Sequence, residues 1–565
     1  MPGIARDETN RQINRRDVAV AAGLFALAVA VFANSIGHGF VWDDMPVIAE
    51  NPFLISAGAW WRCFARDFGL EITRQPVGYY RPLVFVSFVL NSGIGGLRPF
   101  AYHLTNILLH GLNTVLVFWL IARLAGRTCG WLGAAVFAVH PVHAESVAFI
   151  AGRSDLLCAL FLLLTVLATL QTLAARGGAR IGWSAAALVA YAVALLSKEL
   201  AVALPGVLLL CGLIHRDRLR SLLQLCAPTA LLAVAYLAFR LKFFPMTGFA
   251  PSGAPMEGSV VVRAVHLLFS YAAQQTFPVI PTLGAEIPAR HPWVDAMAVA
   301  LLVLIVVIAR PRRLAADAGA WLVLFLAPTL CVNLFKGVEL SDRFAYVPSV
   351  GISALAALAA ARFWERVPLS RLVVGVVLVA FAALSVLFSG MWRDEVSLWT
   401  AAVRYHPRCG RCFYNLGNAY WDEGELTGAA RMLLRATRLL PDEERRCWAY
   451  SNLAHILDEA GEEELAIQAA RSAIQLRPYR PPIRRFLASI LSEQGRHDEA
   501  IAELKAVESF APKEGEVQLD LAREYLDTNP PQRQLARQAY GRARELGVPR
   551  DEAIEAVLES PPPNR

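Results

Sequence analysis

Charge is what this chain has least of: 18% of its 565 residues are Asp, Glu, Lys or Arg, against about 25% in soluble globular proteins. With 56% hydrophobic residues, that shortage excludes a soluble protein throughout. The first apolar run is too long for a removed signal peptide, and no small-residue cleavage site precedes Trp42, so this run is expected to remain as a membrane span. Nine cysteines are scattered, and Cys409 and Cys412, a C-x-x-C pair, have only His406 nearby as a further ligand. That lack argues against a zinc site and, outside the cytoplasm, for a disulfide.

What is present is unevenly spread. Up to about residue 390 the chain is a succession of apolar runs; beyond it the sequence is charged and repetitive. Spanning a bilayer takes roughly 20 apolar residues, and eleven runs qualify, near 18–37, 100–122, 130–150, 155–175, 183–197, 200–214, 222–241, 293–309, 318–335, 344–361 and 371–390. The sequence therefore predicts an all-α protein with a membrane domain at 1–392, a long first outer loop at 38–98, a linker at 393–410, a repeat domain at 411–547 and a tail at 548–565.

Short cytoplasmic loops hold an excess of Lys and Arg, and every second loop here is arginine-rich, from Arg6, Arg11, Arg15 and Arg16 to Arg362 and Arg366. The N-terminus is therefore expected inside, with the first long loop and the repeats outside. This parity requires the apolar stretch 261–280, with Gln274, Gln275, Pro278 and Pro281, to be re-entrant or interfacial.

The repeats align Asn415-Leu416-Gly417 with Asn452-Leu453-Ala454, Phe486-Leu487-Ala488 and Asp520-Leu521-Ala522, at spacings of 37 and then 34 residues. Gly424, Gly461 and Gly495, and Pro441, Pro478 and Pro512, recur with them. This resembles the tetratricopeptide repeat, with three clear units and a degraded fourth at about 514–547. Stacked repeats make a concave surface whose usual occupant is an extended peptide.

Polar clusters gather at the expected outer ends of the spans: Asp43-Asp44, Arg81, His140 with His143 and Glu145, Arg153 with Asp155, Lys198-Glu199, and Asp342-Arg343. Each alone could merely anchor a helix end, but so many on one side point to a shared cavity, since ionisable residues at a bilayer are costly and usually functional. In order, Trp42-Asp43-Asp44, Tyr80-Arg81-Pro82-Leu83, Tyr102-His103-Leu104-Thr105-Asn106, His140-Pro141-Val142-His143-Ala144-Glu145, Gly152-Arg153-Ser154-Asp155, Leu196-Ser197-Lys198-Glu199 and Asp342-Arg343-Phe344-Ala345-Tyr346 follow one another. This ordered set, repeats included, resembles the transmembrane and tetratricopeptide-repeat-containing protein O-mannosyltransferases and their bacterial relatives.

The resemblance implies a GT-C type glycosyltransferase that takes a sugar from a polyprenyl-phosphate carrier on the non-cytoplasmic side, with inversion. It implies a catalytic carboxylate at Asp43 or Asp44; Asp44 is slightly favoured as the base, although nothing in the sequence orders the two. A hydroxyl attacking the anomeric carbon needs a base, and the departing phosphate needs cations. Arg343, Arg81, Arg153 and Lys198 are the candidates, Arg343 first because a guanidinium can hold phosphate in a bidentate fork. His140, His143, Glu145, Asp155 and Glu199 are expected to position substrate, and His140, His143 and Glu145 could alternatively hold a divalent cation. His103 and His110 lie on one helix face as interhelical donors.

The expected partners are a lipid-linked sugar, a protein acceptor brought by the repeats, and the membrane, but no nucleic acid. High Ala, Arg and Leu usage suggests a GC-rich bacterium, hence an inner membrane with periplasmic repeats, or the endoplasmic reticulum in a eukaryote. A transporter is disfavoured because its polar residues would sit near the midplane. A transferase or ligase acting on glycan or lipid, and a scaffold that only displays its repeats, stay open.

Overall fold

The computed structural model describes residues 14–55, 57–65, 67, 79–244, 260–283, 292–336 and 341–560. Every regular element among the described residues is helical. The chain divides into two compact units, Met1–His406 and Pro407–Arg565.

In the first unit each of the eleven apolar runs carries a helix. Among the described residues seven helices are long and apolar enough to cross a membrane, Pro99–Ala125 and Pro368–Gly390 included, and five more are shorter and apolar. The chain is a membrane protein with a helical domain. Small residues let these helices close on one another, as expected where lipid gives no hydrophobic drive. A Cβ on Gly351 would lie 2.5 Å from the Ala318 carbonyl oxygen, so Ser349–Trp364 and Arg312–Lys336 meet backbone to backbone.

Three expectations change. The run at 130–150 is helical only over Arg127–Val139, about 20 Å at 1.5 Å per residue and too short for a core of about 30 Å. From His140 the chain instead folds into short buried turns, Pro141–His143, Ala144–Ala148 and Ile150–Gly152. The first outer loop holds an apolar helix, Pro82–Gly95, that its 14 residues kept below the length of a span. The expected linker at 393–410 is largely the helix Glu395–Tyr405, capped by Asp394, whose carboxylate accepts from Ser397 N–H at 2.7 Å. The stretch 261–280 carries the helix Val260–Thr276, outside the set long and apolar enough to span.

Contacts sort the helix ends. At the arginine-rich ends Arg127 pairs with Asp17 at 2.7 Å and His215 with Asp317 at 2.7 Å. At the opposite ends lie the polar clusters, so one end of the bundle collects the candidate chemistry.

The second unit pairs Gly410–Asp422 with Leu426–Leu439, Glu443–Glu459 with Glu463–Leu476, Pro481–Glu493 with His497–Phe510, and Gly515–Asp527 with Arg533–Glu545, followed by Glu552–Glu559. Gly424, Gly461 and Gly495 turn the first three pairs at φ of 78°, 75° and 73°, a region that favours glycine. The fourth pair has Asn529-Pro530 there instead, which is why it reads as degraded. Asn452 stitches the first two repeats, donating to Asn418 Oδ1 at 2.9 Å and to the Tyr414 hydroxyl at 3.1 Å. Cys409 and Cys412 are joined by a disulfide.

Candidate active site

The acidic pair divides in two. Asp44 is fully buried and its carboxylate accepts from the N–H groups of Ala151 at 2.8 Å, Ile150 at 3.3 Å and Val41 at 3.4 Å. It thereby ties the first outer loop to the turn Ile150–Gly152. Burial pushes its carboxyl well above the ordinary carboxylate range; the three N–H groups oppose this and the charge of Asp43 adds to it. Asp43 is only half-buried.

Trp42, just before the pair, is held at φ 54°, a left-handed conformation that bulky side chains seldom adopt. Its ring stacks on Phe149 at 5.7 Å and Trp392 at 6.4 Å and meets the edge of Trp399 at 5.5 Å. The Arg343 guanidinium lies 5.9 Å from the Trp42 ring and 5.5 Å from that of Phe149. Arg343 therefore sits beside the turn that carries Asp43.

The four expected phosphate-binding cations fall into two classes. Arg343 faces Glu145 at 3.5 Å, and Glu145 also accepts from the Arg343 N–H at 3.1 Å and from Ser341 Oγ at 2.5 Å. Arg81 grips Glu199, and Lys198 meets the fully buried Asp155 at 2.6 Å with its ammonium 5.2 Å from the Phe344 ring. Lys198 feels the charges of both Arg81 and Arg343, so these three ion pairs form one electrostatic cluster.

Arg153 is set apart. It is fully buried and donates to neutral acceptors: Asn106 Oδ1 at 2.8 Å, Asn91 Oδ1 at 2.5 Å, Ser87 Oγ at 3.2 Å and the Tyr102 carbonyl at 2.8 Å. Sandwiched by Phe88 and Tyr102 at 4.7 and 5.7 Å, it braces helices where a phosphate role was expected.

The triplet that could have held a cation turns to separate partners. His140 Nε2 lies 3.1 Å from the Gln275 carbonyl, His143 Nε2 2.8 Å from Ser349 Oγ, and Glu145 faces Ser341 and Arg343. No group of three His, Cys, Asp or Glu among the described residues is arranged to hold a metal ion. His110 bridges Tyr346 at 2.9 Å and the Ala138 carbonyl at 3.2 Å, and His103 the Gly39 carbonyl at 3.3 Å, each tying its helix to another part of the unit.

Sequence reasoning missed Phe149, Trp392, Trp399, Glu395 and Arg240. Two tryptophans seven residues apart, Trp392 at the end of the expected membrane domain and Trp399 in the expected linker, were the available signal. Arg240, on Leu219–Phe243, is buried near Glu199 and joins Arg81 in lowering that carboxylate's proton affinity, a link no linear motif carries.

The chain is similar to known proteins in both of its parts. A tetratricopeptide-repeat family model matches residues 457–524. Over 72% of this chain the sequence is 27% identical to "Protein O-mannosyl-transferase TMTC4" of Mus musculus, the match spanning 64% of that relative. Over 44% of this chain it is 36% identical to "Protein O-mannosyl-transferase Tmtc2" of Drosophila melanogaster, spanning 28% of that longer protein. Among solved structures, MamA matches 28% of this chain and 88% of its own at 22% identity and a TM-score of 0.25. The fold is that of a polytopic helical membrane protein with tetratricopeptide repeats. By sequence the chain is similar to these protein O-mannosyl-transferases over part of its length and of theirs.

Proposed function

We propose that the chain is a glycosyltransferase that moves a sugar, mannose in our reading, from a polyprenyl-phosphate carrier to Ser or Thr hydroxyls of proteins outside the cytoplasm. The observation that carries it is the cluster of three carboxylate-held cations beside the turn bearing Asp43. The names of the relatives support the same class of reaction.

In this reaction Asp43 takes the proton from the acceptor hydroxyl as its oxygen attacks the anomeric carbon. Asp44, whose oxygens already serve three backbone N–H groups, fixes the loop. The bond to the lipid phosphate breaks on the opposite face, which inverts the centre. Arg343, Arg81 and Lys198 stabilise the charge that develops on the departing phosphate. Arg343 is first among them because its guanidinium lies beside the turn that carries Asp43, 5.9 Å from the Trp42 ring, and a guanidinium can hold phosphate in a bidentate fork.

The repeats bring the protein acceptor. With Arg127–Val139 and the buried turns after it counted together as one crossing, from the arginine-rich end to the end of the polar clusters, the arginine alternation supports a placement of the repeats, with Asp43, outside an inner membrane. A phosphatase reporter fused after residue 400 is then active and one fused near Arg218 inactive.

The experiment is to give the purified full chain polyprenyl-phosphate mannose and an extract of secreted proteins, and to identify what carries new mannose by mass spectrometry. Sugar appearing only on lipid or glycan favours the ligase reading. A donor left unconsumed leaves a scaffold that displays its repeats.

A further inference from the structure

We propose that Glu395, on the helix after the last apolar run, is a positioning residue for this reaction that aims Asp43 by fixing Trp42. The proposal rests on the reading of Asp43 as the base.

Trp42 is one of two non-glycine residues at positive φ among the described residues, the other being Leu283. Strained backbone of this kind persists only where its surroundings over-determine it, and it gathers at functional sites. Here the surroundings are identifiable. The Trp42 N–H donates to one oxygen of Glu395, and the other oxygen accepts from Trp399 Nε1 at 2.5 Å. Trp392 and Trp399, both buried, press on the Trp42 ring from the same segment. Gly39 N–H adds a bond to the Arg393 carbonyl at 2.9 Å. One carboxylate thus ties the acidic turn to a tryptophan 357 positions later in the chain.

Downstream, Asp44 is locked by three N–H groups. Asp43 is thus held between two fixed residues, and the φ of Trp42 is one determinant of its direction. Without the Glu395 acceptor the Trp42 N–H loses its charged partner, and the left-handed turn can relax toward the ordinary right-handed region. That rotation redirects the Asp43 side chain relative to the turn beside Arg343. A base displaced by about 1 Å costs on the order of 10²-fold in rate.

The test is a cycle of Glu395→Ala and Asp43→Asn in the full chain, assayed with polyprenyl-phosphate mannose at equal folded protein. Glu395→Ala is expected to lower kcat by about 10- to 100-fold with donor KM within about twofold. In the Asp43→Asn background it should add nothing, because the group it aims is gone. Glu395→Gln keeps a carbonyl acceptor for Trp42 and should recover most of the loss. Losses that add in the double variant, or a kcat unmoved by Glu395→Ala, overturn the proposal. Hydrogen exchange needs no substrate: the peptide containing Trp42 should lose protection in Glu395→Ala and keep it in Glu395→Gln, and unchanged protection also overturns it. If Asp43→Asn leaves turnover intact, the reading of the base fails instead, and exchange still decides whether Glu395 sets the turn.

Discussion

Arg81 holds Glu199 through two parallel bonds, Nε to Oε2 at 3.1 Å and Nη2 to Oε1 at 2.7 Å, across 118 residues of sequence. Both groups are largely buried, at 13% and 27% side-chain exposure. Removing one partner of such a pair leaves an uncompensated charge, whereas replacing both by apolar groups is often neutral. Glu199→Ala is therefore expected to cost about 3 kcal/mol in detergent unfolding, and Glu199→Leu with Arg81→Met to recover most of it. A double variant as unstable as the single one would show that the pair matters for more than its charges.

Asp43 and Asp44 should fail in different ways. Asp44→Ala strands the Ile150 and Ala151 N–H groups, so it should cost about 1–3 kcal/mol of stability. Asp43→Asn should leave the melting temperature alone and reduce turnover by roughly 10² to 10⁴-fold. If Asp44→Asn causes the larger kinetic loss at equal folded protein, the roles are reversed.

Arg153 spends its guanidinium on neutral acceptors in a fan that a lysine cannot reproduce. Arg153→Lys should therefore destabilise the membrane unit, while donor affinity in the protein that does fold stays within about twofold of the parent. An intact melting temperature with lost donor binding would restore Arg153 to the phosphate site.

His455, in the second repeat, lies against Phe486 with ring centroids 3.6 Å apart. Burial lowers its pKa below the ordinary 6.5, with Asp458 and Glu459 opposing. Below that value the unfolded repeat binds more protons than the folded one, so stability is complete above about pH 6.5 and falls as the pH drops toward the lowered folded value. The urea midpoint of the repeat transition should decrease from pH 7.5 to 5.5, and His455→Phe should flatten that trend. An equal slope in both proteins would assign it to other groups.

The parts legible in the sequence were those with a period. Apolar runs became helices, and the recurring glycines and prolines gave the repeat pairs, because both patterns are local. Pro82–Gly95 escaped because its 14 residues fall below the length of a span. The site residues were legible as a set but their partners were not. Nothing linear joins Lys198 to Asp155 or Glu145 to Ser341; tertiary packing brings them together at 2.6 and 2.5 Å. The same lack of local signal hid Arg153's structural use and the role of Glu395 beside Trp42.

The buried turns from His140 to Gly152 carry a consequence for how the protein is made. His140, His143 and Glu145 find their partners 135, 206 and 196 residues later in the chain. While the ribosome is still extending the first half, these polar groups lack those distant partners, and hydrocarbon offers none in their place. The nascent turn must wait at the interface or within the insertion machinery until Ser341 and Ser349 have been synthesised. Chains truncated before residue 341 should accordingly be cleared by membrane quality control, and those that include Ser349 should accumulate.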